Sequence, residues 1–447
     1  MWTAIVAATR ATVAAAKPLP PIVAVAVTSQ YMSVVPVSAD GMPTGPCVLW
    51  MDTRGAEHNL SLLTDESFAL FVERHGLIPL PSGNDDIAHI DVLRRFHPEA
   101  YSSAAAFVEP MDYINARLTG RVGATQSTMF GQMVCDNRAW GLVEYDQALV
   151  AATQLDPDKL PPLLPMNGVV GVVTRAAAQD LGIAEGIPVT TGTIDSITSA
   201  IGTGALNRHE GSVIIGTTSV LVSHIAEHRG DLGAGILAVP SPLVGMYYVM
   251  AENGVGGRAL EWAMRMFGYG TDFTAATGDA ATVDPGADGV QFVPWLLGSI
   301  APRPNDDVRA AFTGLALHHE RPDMVRAVME GVAVNLAWLR PAVEGFVGHE
   351  FGVMRFGGGG AQSDLWAQIL ADALDRPVDQ LEEPRATNAR GAAFLAFATL
   401  GKMSIDDVPS LLRSRAVRHP DPSNRECMDL ALRRLIALHE ALVDLTL

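Results

Sequence analysis

Cysteine is scarce in this sequence of 447 residues. The three cysteines, Cys47, Cys135 and Cys427, lie far apart and form no Cys-x-x-Cys pair. Such a scattered, odd-numbered set excludes a disulfide scaffold and a cysteine-based zinc site, and it fits a reducing compartment. We therefore expect a cytoplasmic protein.

Positive charge is also in short supply. The chain has 31 lysines and arginines against 49 aspartates and glutamates, which gives a net charge of −18. Lysine occurs only at Lys17, Lys159 and Lys402, and the arginines are scattered singly. Without a basic patch, an acidic chain repels phosphate backbones and anionic lipid. We expect no nucleic-acid partner.

Long hydrophobic runs are missing as well. The two longest uncharged stretches, Pro18 to Ala39 and Ala234 to Ala251, are interrupted by proline, serine or threonine. Neither is typical of a membrane span. The alanine-rich first sixteen residues contain Arg10 and precede an apolar run, Ile22 to Val27, so we expect a short helix and a core strand there rather than a cleaved leader.

Strands and helices are predicted to alternate along most of the chain, which is typical of an α/β protein of two or three domains. A boundary is expected at 202–211, where a helical run ends in glycine and a new strand, Ser212 to Ile215, begins. Apolar residues at helical spacing predict a long packing helix over Pro322 to Leu339. The other predicted strands are Ile22 to Val27, Ile187 to Thr191 and Val353 to Phe356.

Asp195 is the first candidate for chemistry. It follows the strand Ile187 to Thr191 and stands at the start of a helix-like segment, Ser196 to Ile201. Ligands of α/β proteins bind at such strand ends. Aspartate is also a favoured helix N-cap, so the local sequence leaves a structural role open.

Glycine-rich turns are the second candidates. Four consecutive glycines, Gly357 to Gly360, lie between a strand and the predicted helix Asp364 to Leu374, where they permit close backbone approach by a ligand. Gly-Thr pairs near Thr193 and Thr217 could approach phosphate in the same way. The Walker A pattern is absent and the dinucleotide pattern is incomplete, so a nicotinamide-dependent oxidoreductase stays only as a competing interpretation.

The pair His318-His319, followed by Glu320, looks like a set of metal ligands. Adjacent histidines on a strand or helix point in different directions, and the chain has no His-Glu-x-x-His spacing. We therefore expect no zinc site there.

Taken in order, these segments resemble the FGGY family of carbohydrate kinases, especially its xylulokinase-like branch, over nearly the whole chain. The matching segments of the first half are 25–30, 48–54, 112–113, 117–120, 186–189, Gly192 and Asp195. Those of the second half are 216–219, 256–257 with Trp262, 292–296, 301–302 with Arg309, 326–327 with 330–331, 357–366 with Gln368 and Asp372, and 391–393.

The resemblance implies a role for each of these sites. Asp195 takes the place of the catalytic base that deprotonates a sugar hydroxyl. The residues that would hold the nucleotide are Gly216, Thr217, Gly257, Gly358, Gly359, Gly360, Ala361 and Ser363. The residues that would bind the sugar are Gln30, Tyr31, Met32, Trp50, Asp52, Arg54 and Asp195.

The resemblance also implies a two-domain core of the actin and hexokinase type, with a duplicated ribonuclease H-like fold and a hinge cleft. The expected domains are a sugar-binding domain over 1–205 and a nucleotide-binding domain over 206–447. The expected substrates are ATP with Mg²⁺ and a pentulose such as xylulose, or a related sugar or sugar alcohol. A homodimer is compatible with the resemblance.

Two positions depart from the family pattern. Xylulokinases carry a Gln-Met-His run where this chain has Gln30-Tyr31-Met32, so a histidine that would contact the sugar is absent. Nothing before Ile22 resembles the strand, Asp-x-Gly-Thr turn and second strand with which the family begins. We therefore expect the first phosphate hairpin to be missing from 1–447, and the alternative function is a sugar- or nucleotide-binding relative that has lost phosphoryl transfer.

Overall fold

The first half of the chain consists of helices joined by short strands. The structure is a computed structural model that describes residues 1–16 and 18–446. The helices of this half are α1 (Trp2–Ala15), α2 (Ala56–Leu62), α3 (Asp65–Leu70), α4 (Asp86–Phe96), α5 (Pro98–Ser103), α6 (Pro110–Thr119), α7 (Gln147–Thr153), α8 (Arg175–Leu181) and α9 (Asp195–Gly202). Its strands are β1 (Thr28–Ser29), β2 (Val35–Val37), β3 (Ala106–Val108), β4 (Ala124–Thr125), β5 (Leu163–Leu164), β6 (Val169–Val172), β7 (Pro188–Thr190) and β8 (Thr193–Ile194).

These short strands form two-stranded ladders. β1 pairs with β8 and β4 with β5 in parallel, while β2 pairs with β3 and β6 with β7 in antiparallel fashion. Two-stranded ladders have little independent stability, so helices must cover them. A π-helical turn also lies at Phe71–His75, and 3₁₀ turns lie at Phe130–Gln132 and Pro157–Lys159.

The second half is organised around one large mixed sheet. Its strands are β9 (Ser212–Ile215), β10 (Thr218–Ile225), β11 (Gly230–Asp231), β12 (Ile236–Pro240), β13 (Tyr247–Val255), β14 (Gln291–Val293), β15 (Ala311–Thr313), β16 (Met354–Gly357), β17 (Val378–Leu381) and β18 (Ser414–Arg418). Eight of them lie in the order β11-β12-β13-β10-β9-β16-β17-β18, while β14 and β15 form a separate pair. β16 is parallel to both β9 and β17.

Helices cover this sheet and extend to the chain's end. They are α10 (Gly257–Met266), α11 (Phe273–Ala280), α12 (Arg321–Val347), α13 (Asp364–Leu374), α14 (Thr387–Thr399), α15 (Val408–Leu411) and α16 (Arg425–Thr446). Short 3₁₀ turns lie at Ala287–Gly289, Gly359–Gln362, Pro384–Ala386, Ile405–Asp407 and Pro422–Asn424. Among the described residues, no helix combines the length and apolar character that crossing a bilayer requires.

Side chains of β13 alternate between two apolar cores, because successive residues of a strand point to opposite faces. Tyr247, Val249 and Ala251 pack with α10, α12 and α13 inside the second half. Tyr248 and Met250 pack with residues of the first half, among them Ile194 and Ile197. The sheet of the second half therefore also forms one wall of the contact between the two halves.

Several sequence predictions are confirmed. β9 begins at Ser212 and ends at Ile215, α13 spans Asp364–Leu374, and α1 occupies the alanine-rich start. The packing helix predicted over Pro322 to Leu339 extends from Arg321 to Val347 and continues through Pro341.

The predicted core strand over Ile22 to Val27 was wrong. Only Val25 makes a bridge, to Val189, before β1 begins at Thr28. The segment lies beside a single ladder, and no described strand pairs with it on the other side. It therefore lacks the two neighbours that make a residue part of a continuous central strand.

Candidate active site

Parallel pairing brings the start of the sugar-side turn and Asp195 to one sheet edge. In the β1–β8 ladder, Thr28 lies opposite Thr193 and Ser29 lies opposite Ile194. Both strands end at the same edge, so Gln30 and Asp195 follow at equivalent positions. The structure thereby brings together two sites that are 165 positions apart in the printed sequence.

Asp195 is the first residue of α9 and not its N-cap. Ile194 takes the N-cap position, and no side chain caps the helix. The Ser196 hydroxyl donates to Asp195 Oδ1 at 3.3 Å. Burial raises the pKa of the Asp195 carboxyl above its usual value. A partly buried carboxylate with a raised pKa is suited to accept a proton.

Gln30 and Trp50 are connected through Ser33. The Gln30 side-chain amide donates to the Ser33 hydroxyl oxygen at 3.1 Å, and that oxygen also accepts from the Trp50 backbone N–H at 3.2 Å. The Trp50 side chain remains 39% exposed. An indole that is fixed at its backbone and open at its face can stack on the apolar side of a sugar.

Asp52 and Arg54, both predicted sugar contacts, bind to each other. The Arg54 Nε lies 2.9 Å from Asp52 Oδ1, and Nη2 lies 2.5 Å from Oδ2. The hydrogen bonds from Arg54 hold the pKa of the Asp52 carboxyl below its usual value. His89 Nε2 lies 3.0 Å from the Asp52 backbone oxygen and fixes this turn to α4. Among the described residues, no hydrogen bond or ion pair joins Asp52 or Arg54 to Asp195.

A second parallel pair builds the other side of the cleft. In the β9–β16 ladder, Ile214 lies opposite Gly357. Both strands end at one edge of the sheet, so the Gly216-Thr217 turn and the turn that begins at Gly358 lie next to each other. This is the edge where ligands bind in α/β folds.

Backbone hydrogen bonds join the Gly216-Thr217 turn to the start of α10. The Gly257 N–H donates to the Gly216 oxygen at 2.8 Å, and the Gly256 N–H donates to the Thr217 oxygen at 3.1 Å. A Cβ on Gly257 would lie 2.4 Å from the Gly216 oxygen, whereas a Cβ on Gly216 would meet nothing within 4 Å. Gly257 is therefore required by packing, and Gly216 faces open space.

The second glycine turn combines close packing with an open face. Gly358 has φ +83°, and a Cβ there would lie 2.5 Å from the Ile215 oxygen; a Cβ on Gly360 would lie 2.8 Å from Ile215 Cβ. A Cβ on Gly359 would meet nothing within 4 Å. Ala361 is buried, and its oxygen accepts a hydrogen bond from Gln380.

Ser363, also predicted to hold the nucleotide, caps α13. Its side chain accepts from the Trp366 N–H at 3.2 Å. The open face of the turn therefore lies immediately before the positive end of a helix, which favours an anion.

Sequence reasoning missed three residues of β13 that face the cleft: Tyr248, Met250 and Glu252. The Tyr31 hydroxyl lies 2.8 Å from Met250 Sδ, so a residue that was predicted to contact the sugar touches the second half of the chain directly. Burial and the charge of Asp195 raise the pKa of Glu252 to about 7. Glu252 is an acidic residue inside a mainly apolar strand. That pattern is the sequence signal that could have indicated this site.

Glycines also permit the close crossing of α9 and α14, which joins the two halves. A Cβ on Gly391 would lie 1.9 Å from the Thr198 oxygen, and a Cβ on Gly202 would lie 2.0 Å from the Thr387 oxygen. Only glycine fits at either position without moving a backbone. α9, which begins with Asp195, is thereby held directly against the second half.

The histidine pair departs from its predicted geometry. His318 Nε2 lies 2.8 Å and His319 Nε2 lies 3.5 Å from Asp288 Oδ2, so both rings point to one carboxylate. The expectation that they point apart was wrong, because they lie in the turn before α12. His319 Nδ1 accepts from the Ala316 N–H, which leaves the proton on Nε2. The ligand atoms of Asp288, His318 and His319 all lie within 4.8 Å of one another, so this cluster could hold a metal ion.

Comparison with known protein families identifies the family of this chain. The family model described as the N-terminal domain of the FGGY family of carbohydrate kinases matches residues 1–202, and its C-terminal counterpart matches residues 211–400. The chain belongs to the FGGY family of carbohydrate kinases. The predicted enzyme class, a sugar kinase, is confirmed. Kinases of this family use ATP as co-substrate.

Individual relatives of this FGGY kinase differ in the sugar they are named for. A xylulose kinase of Lactococcus lactis is 26% identical over 371 residues, which cover 82% of this chain and 72% of the relative. A gluconokinase of Bacillus licheniformis is 26% identical over 411 residues, which cover 88% of this chain and 77% of the relative. Similarity at this level establishes the kinase class and leaves the sugar open.

The fold of this FGGY kinase is shared with solved structures. The crystal structure of a xylulose kinase from Rhodospirillum rubrum superposes with a TM-score of 0.84, at 26% identity, over 100% of this chain and 90% of that one. The predicted two-domain α/β fold is confirmed by this match.

Proposed function

We propose that this FGGY kinase transfers the terminal phosphoryl group of ATP to a hydroxyl of an uncharged sugar, a pentulose such as xylulose. The observation that supports this most is the position of Asp195. It lies at the edge where β1 and β8 end, and it lies close enough to Glu252 of the other half to raise the pKa of that carboxyl. A base in that position can act on a sugar bound to one half and a nucleotide bound to the other.

In this mechanism, Asp195 accepts the proton of the attacking sugar hydroxyl. The resulting alkoxide oxygen forms a bond to the terminal phosphorus while the bond from that phosphorus to the ADP oxygen breaks. Phosphoryl transfer depends mainly on positioning and charge stabilisation. The raised pKa of Asp195 strengthens it as a base, because a carboxylate that is costly to keep charged binds a proton more readily.

The nucleotide is assigned to the second half, 206–447, and the sugar to the first half, 1–205. Gly216, Thr217 and Gly257 offer backbone groups and a hydroxyl to the transferring phosphate. Gly358, Gly359 and Gly360 with Ala361 would border the adenosine, and Ser363 would begin the helix that follows. The open space at Gly216 and Gly359 supports this assignment.

A magnesium ion fits the charge of the cleft. Mg²⁺ prefers oxygen ligands, chiefly carboxylates, phosphates and water. Asp195 and Glu252 are carboxylates close enough to influence each other, since the charge of Asp195 raises the pKa of Glu252. Glu252 would face the ion, which supplies positive charge to the phosphates when bound, while Asp195 acts as the base.

The charges around Tyr31 favour an uncharged sugar over a sugar acid. The charged groups that influence the Tyr31 hydroxyl are Glu252, Asp195 and Glu109, all of them acidic. Arg54 is already bound to Asp52. The acidic groups that act on the Tyr31 hydroxyl would repel a carboxylate on the substrate, which favours xylulose over gluconate.

The proposal is tested by Asp195→Asn. The substitution keeps the size of the side chain and removes the base, so we expect turnover to fall on the order of 10²–10⁴-fold while ATP affinity stays nearly unchanged. Asp65→Asn is the matched control, because Asp65 is also the first residue of a helix but is exposed. Steady-state ADP release and calorimetry with ATP measure the two effects.

A panel of xylulose, other pentuloses, sugar alcohols and gluconate tests the choice of sugar. We expect ADP release with an uncharged member and none with gluconate. Turnover by Asp195→Asn within about threefold of the parent would remove Asp195 as the base. A chain that binds ATP and sugar but releases no ADP would instead support the alternative of a relative that has lost phosphoryl transfer.

A further inference from the structure

Behind the turn that carries Gln30, Tyr31 and Met32 lies the carboxyl group of Glu109. The Met32 N–H donates to Glu109 Oε1 at 2.7 Å, and the Ser33 N–H donates to Oε2 at 3.2 Å. Met32 has φ +53°, the left-handed region. That conformation is unfavourable for a residue with a Cβ, so the turn needs external support. Glu109 provides this support with both carboxyl oxygens.

Asp86 of α4 is a second buried carboxyl group at this place. It is fully buried, and neither of its oxygens has a hydrogen-bond donor among the described residues. A Cβ on Gly131 would lie 2.4 Å from Asp86 Oδ2, so backbone packs directly against this oxygen. Asp86 and Glu109 are within hydrogen-bond reach of each other.

The preceding residue shows what a satisfied carboxylate looks like in the same fold. Asp85 caps α4 and accepts from the Ala88 N–H at 3.0 Å, the Leu80 N–H at 2.6 Å and the Asn59 amide at 2.7 Å. Asp86 has none of these donors. A buried carboxyl group without donors is stable only in its neutral form.

No cation among the described residues compensates the charge of this pair. His89 Nδ1 lies 4.0 Å from Asp86 Oδ1, but burial lowers the pKa of His89 to about 4. The other titratable groups facing the pair are the Asp85 carboxyl, the Cys47 thiol and the Tyr31 hydroxyl. Among residues 1–16 and 18–446, no lysine or arginine forms an ion pair or hydrogen bond with either carboxyl group.

Two adjacent buried carboxyl groups cannot both be charged without such a cation. Burial raises the pKa of Asp86 to about 8 and raises that of Glu109 as well. Glu109 accepts two backbone N–H groups, and the hydrogen bond between the two carboxyl groups raises the pKa of Glu109 and lowers that of Asp86. One proton is therefore held between them, and the pair carries a single negative charge.

We propose that Asp86 and Glu109 share one proton and together act as positioning residues for the turn of Gln30, Tyr31 and Met32. Loss of that proton places two negative charges side by side and releases the turn. Its consequence for sugar affinity rests on the proposed function, whereas the state of the turn itself does not. Alkaline pH should therefore loosen the sugar side and leave the nucleotide side intact.

Asp86→Asn tests this pairing, because its side-chain amide can donate to Glu109 without ever titrating. Hydrogen exchange at the Met32 and Ser33 amides is measured in parent and variant at pH 6, 7, 8 and 9. The two proteins are compared at the same pH, because the intrinsic exchange rate is then the same for both. As the pH rises to 9, the parent should exchange increasingly faster than the variant, approaching about tenfold for each unit above the pKa at which the shared proton is lost. At pH 6 the two should agree.

Kinetics give the second readout. Between pH 7 and 9 the KM for xylulose should rise more in the parent than in Asp86→Asn, in step with the difference in exchange, while the KM for ATP changes equally in both. Glu109→Gln is a second variant in case the first does not fold, since its amide can donate to Asp86. It should also remove the pH-dependent difference, but its amide offers only one acceptor oxygen to the Met32 and Ser33 N–H groups, so these amides should exchange faster than in the parent already at pH 6.

Each result decides the proposal. Parallel pH profiles of parent and variants, in exchange and in KM, would overturn the shared proton, because a purely structural role changes stability without a pH-dependent difference. A pH-dependent difference in exchange without any sugar turnover would uphold the pair and contradict the proposed function. A difference in both readouts supports the two together.

Discussion

The two halves of this kinase hold their site residues by different means. In the second half, backbone hydrogen bonds and close-packed glycines fix the Gly216-Thr217 turn and the turn at Gly358. In the first half, side chains do this work: Glu109 holds the turn at Met32, and Ser33 joins Gln30 to Trp50. A continuous eight-stranded sheet can position turns by register alone, whereas two-residue ladders need support from side chains.

This difference predicts how each half responds to change. A side-chain substitution should matter most on the sugar side, and an added Cβ should matter most on the nucleotide side. Adding a side chain at Gly359 or at Gly391 tests whether an added Cβ matters in the second half, and the larger effect is expected at Gly359.

Gly359→Val should remove nucleotide binding and leave sugar binding intact. A Cβ on Gly359 meets nothing within 4 Å, so the fold tolerates the side chain, which then occupies the space assigned to the adenosine end. We expect ATP affinity to fall about 100-fold or more, equivalent to roughly 2.8 kcal/mol. Calorimetry with ATP and with xylulose measures both affinities.

The matched control is Gly278→Val in α11, where a Cβ also meets nothing within 4 Å. It should leave ATP affinity unchanged. If Gly359→Val weakens sugar binding and spares ATP, the assignment of ligands to the two halves is reversed.

Gly391→Ala should destabilise the contact between the halves. The added Cβ would lie 1.9 Å from the Thr198 oxygen, so α9 and α14 must separate. Overpacking of this kind costs about 1–3 kcal/mol of unfolding free energy. Thermal unfolding should show a lower midpoint, and turnover should fall because α9 carries Asp195.

Gly345→Ala in α12 is its control, since a Cβ there meets nothing within 4 Å. Replacing glycine by alanine inside a helix favours the helix by up to about 1 kcal/mol, so its midpoint should stay or rise. An unchanged midpoint for Gly391→Ala would contradict this account, because it would mean that α9 and α14 leave space for a Cβ between them.

The same difference between the halves explains what the sequence could predict. In the second half, Ser212 to Ile215 and Asp364 to Leu374 were predicted to the residue, because glycine and serine mark the ends of strongly apolar segments. In the first half, the strand predicted over Ile22 to Val27 failed. An apolar run indicates burial, but whether neighbouring strands exist depends on distant parts of the chain.

Side-chain support on the sugar side was not predictable for a similar reason. Glu109 and Asp86 lie far from Met32 in the sequence, and a carboxyl group carries no local sign that it will be buried. The left-handed backbone of Met32 is equally invisible, because methionine rarely adopts it. One clue was present, since Asp85 and Asp86 stand together at a helix start where only one of them can be the N-cap.

The most direct test of the central claim is a hydrogen-exchange footprint of the full chain with each ligand alone. With a non-hydrolysable ATP analogue and Mg²⁺, we expect protection at 214–218, 256–258 and 357–363. With xylulose alone, we expect protection at 30–33 and 48–54 and none at the glycine turns. Protection of the same segments by both ligands, or of the sugar-side turns by the nucleotide, would contradict the separate assignment of the two halves.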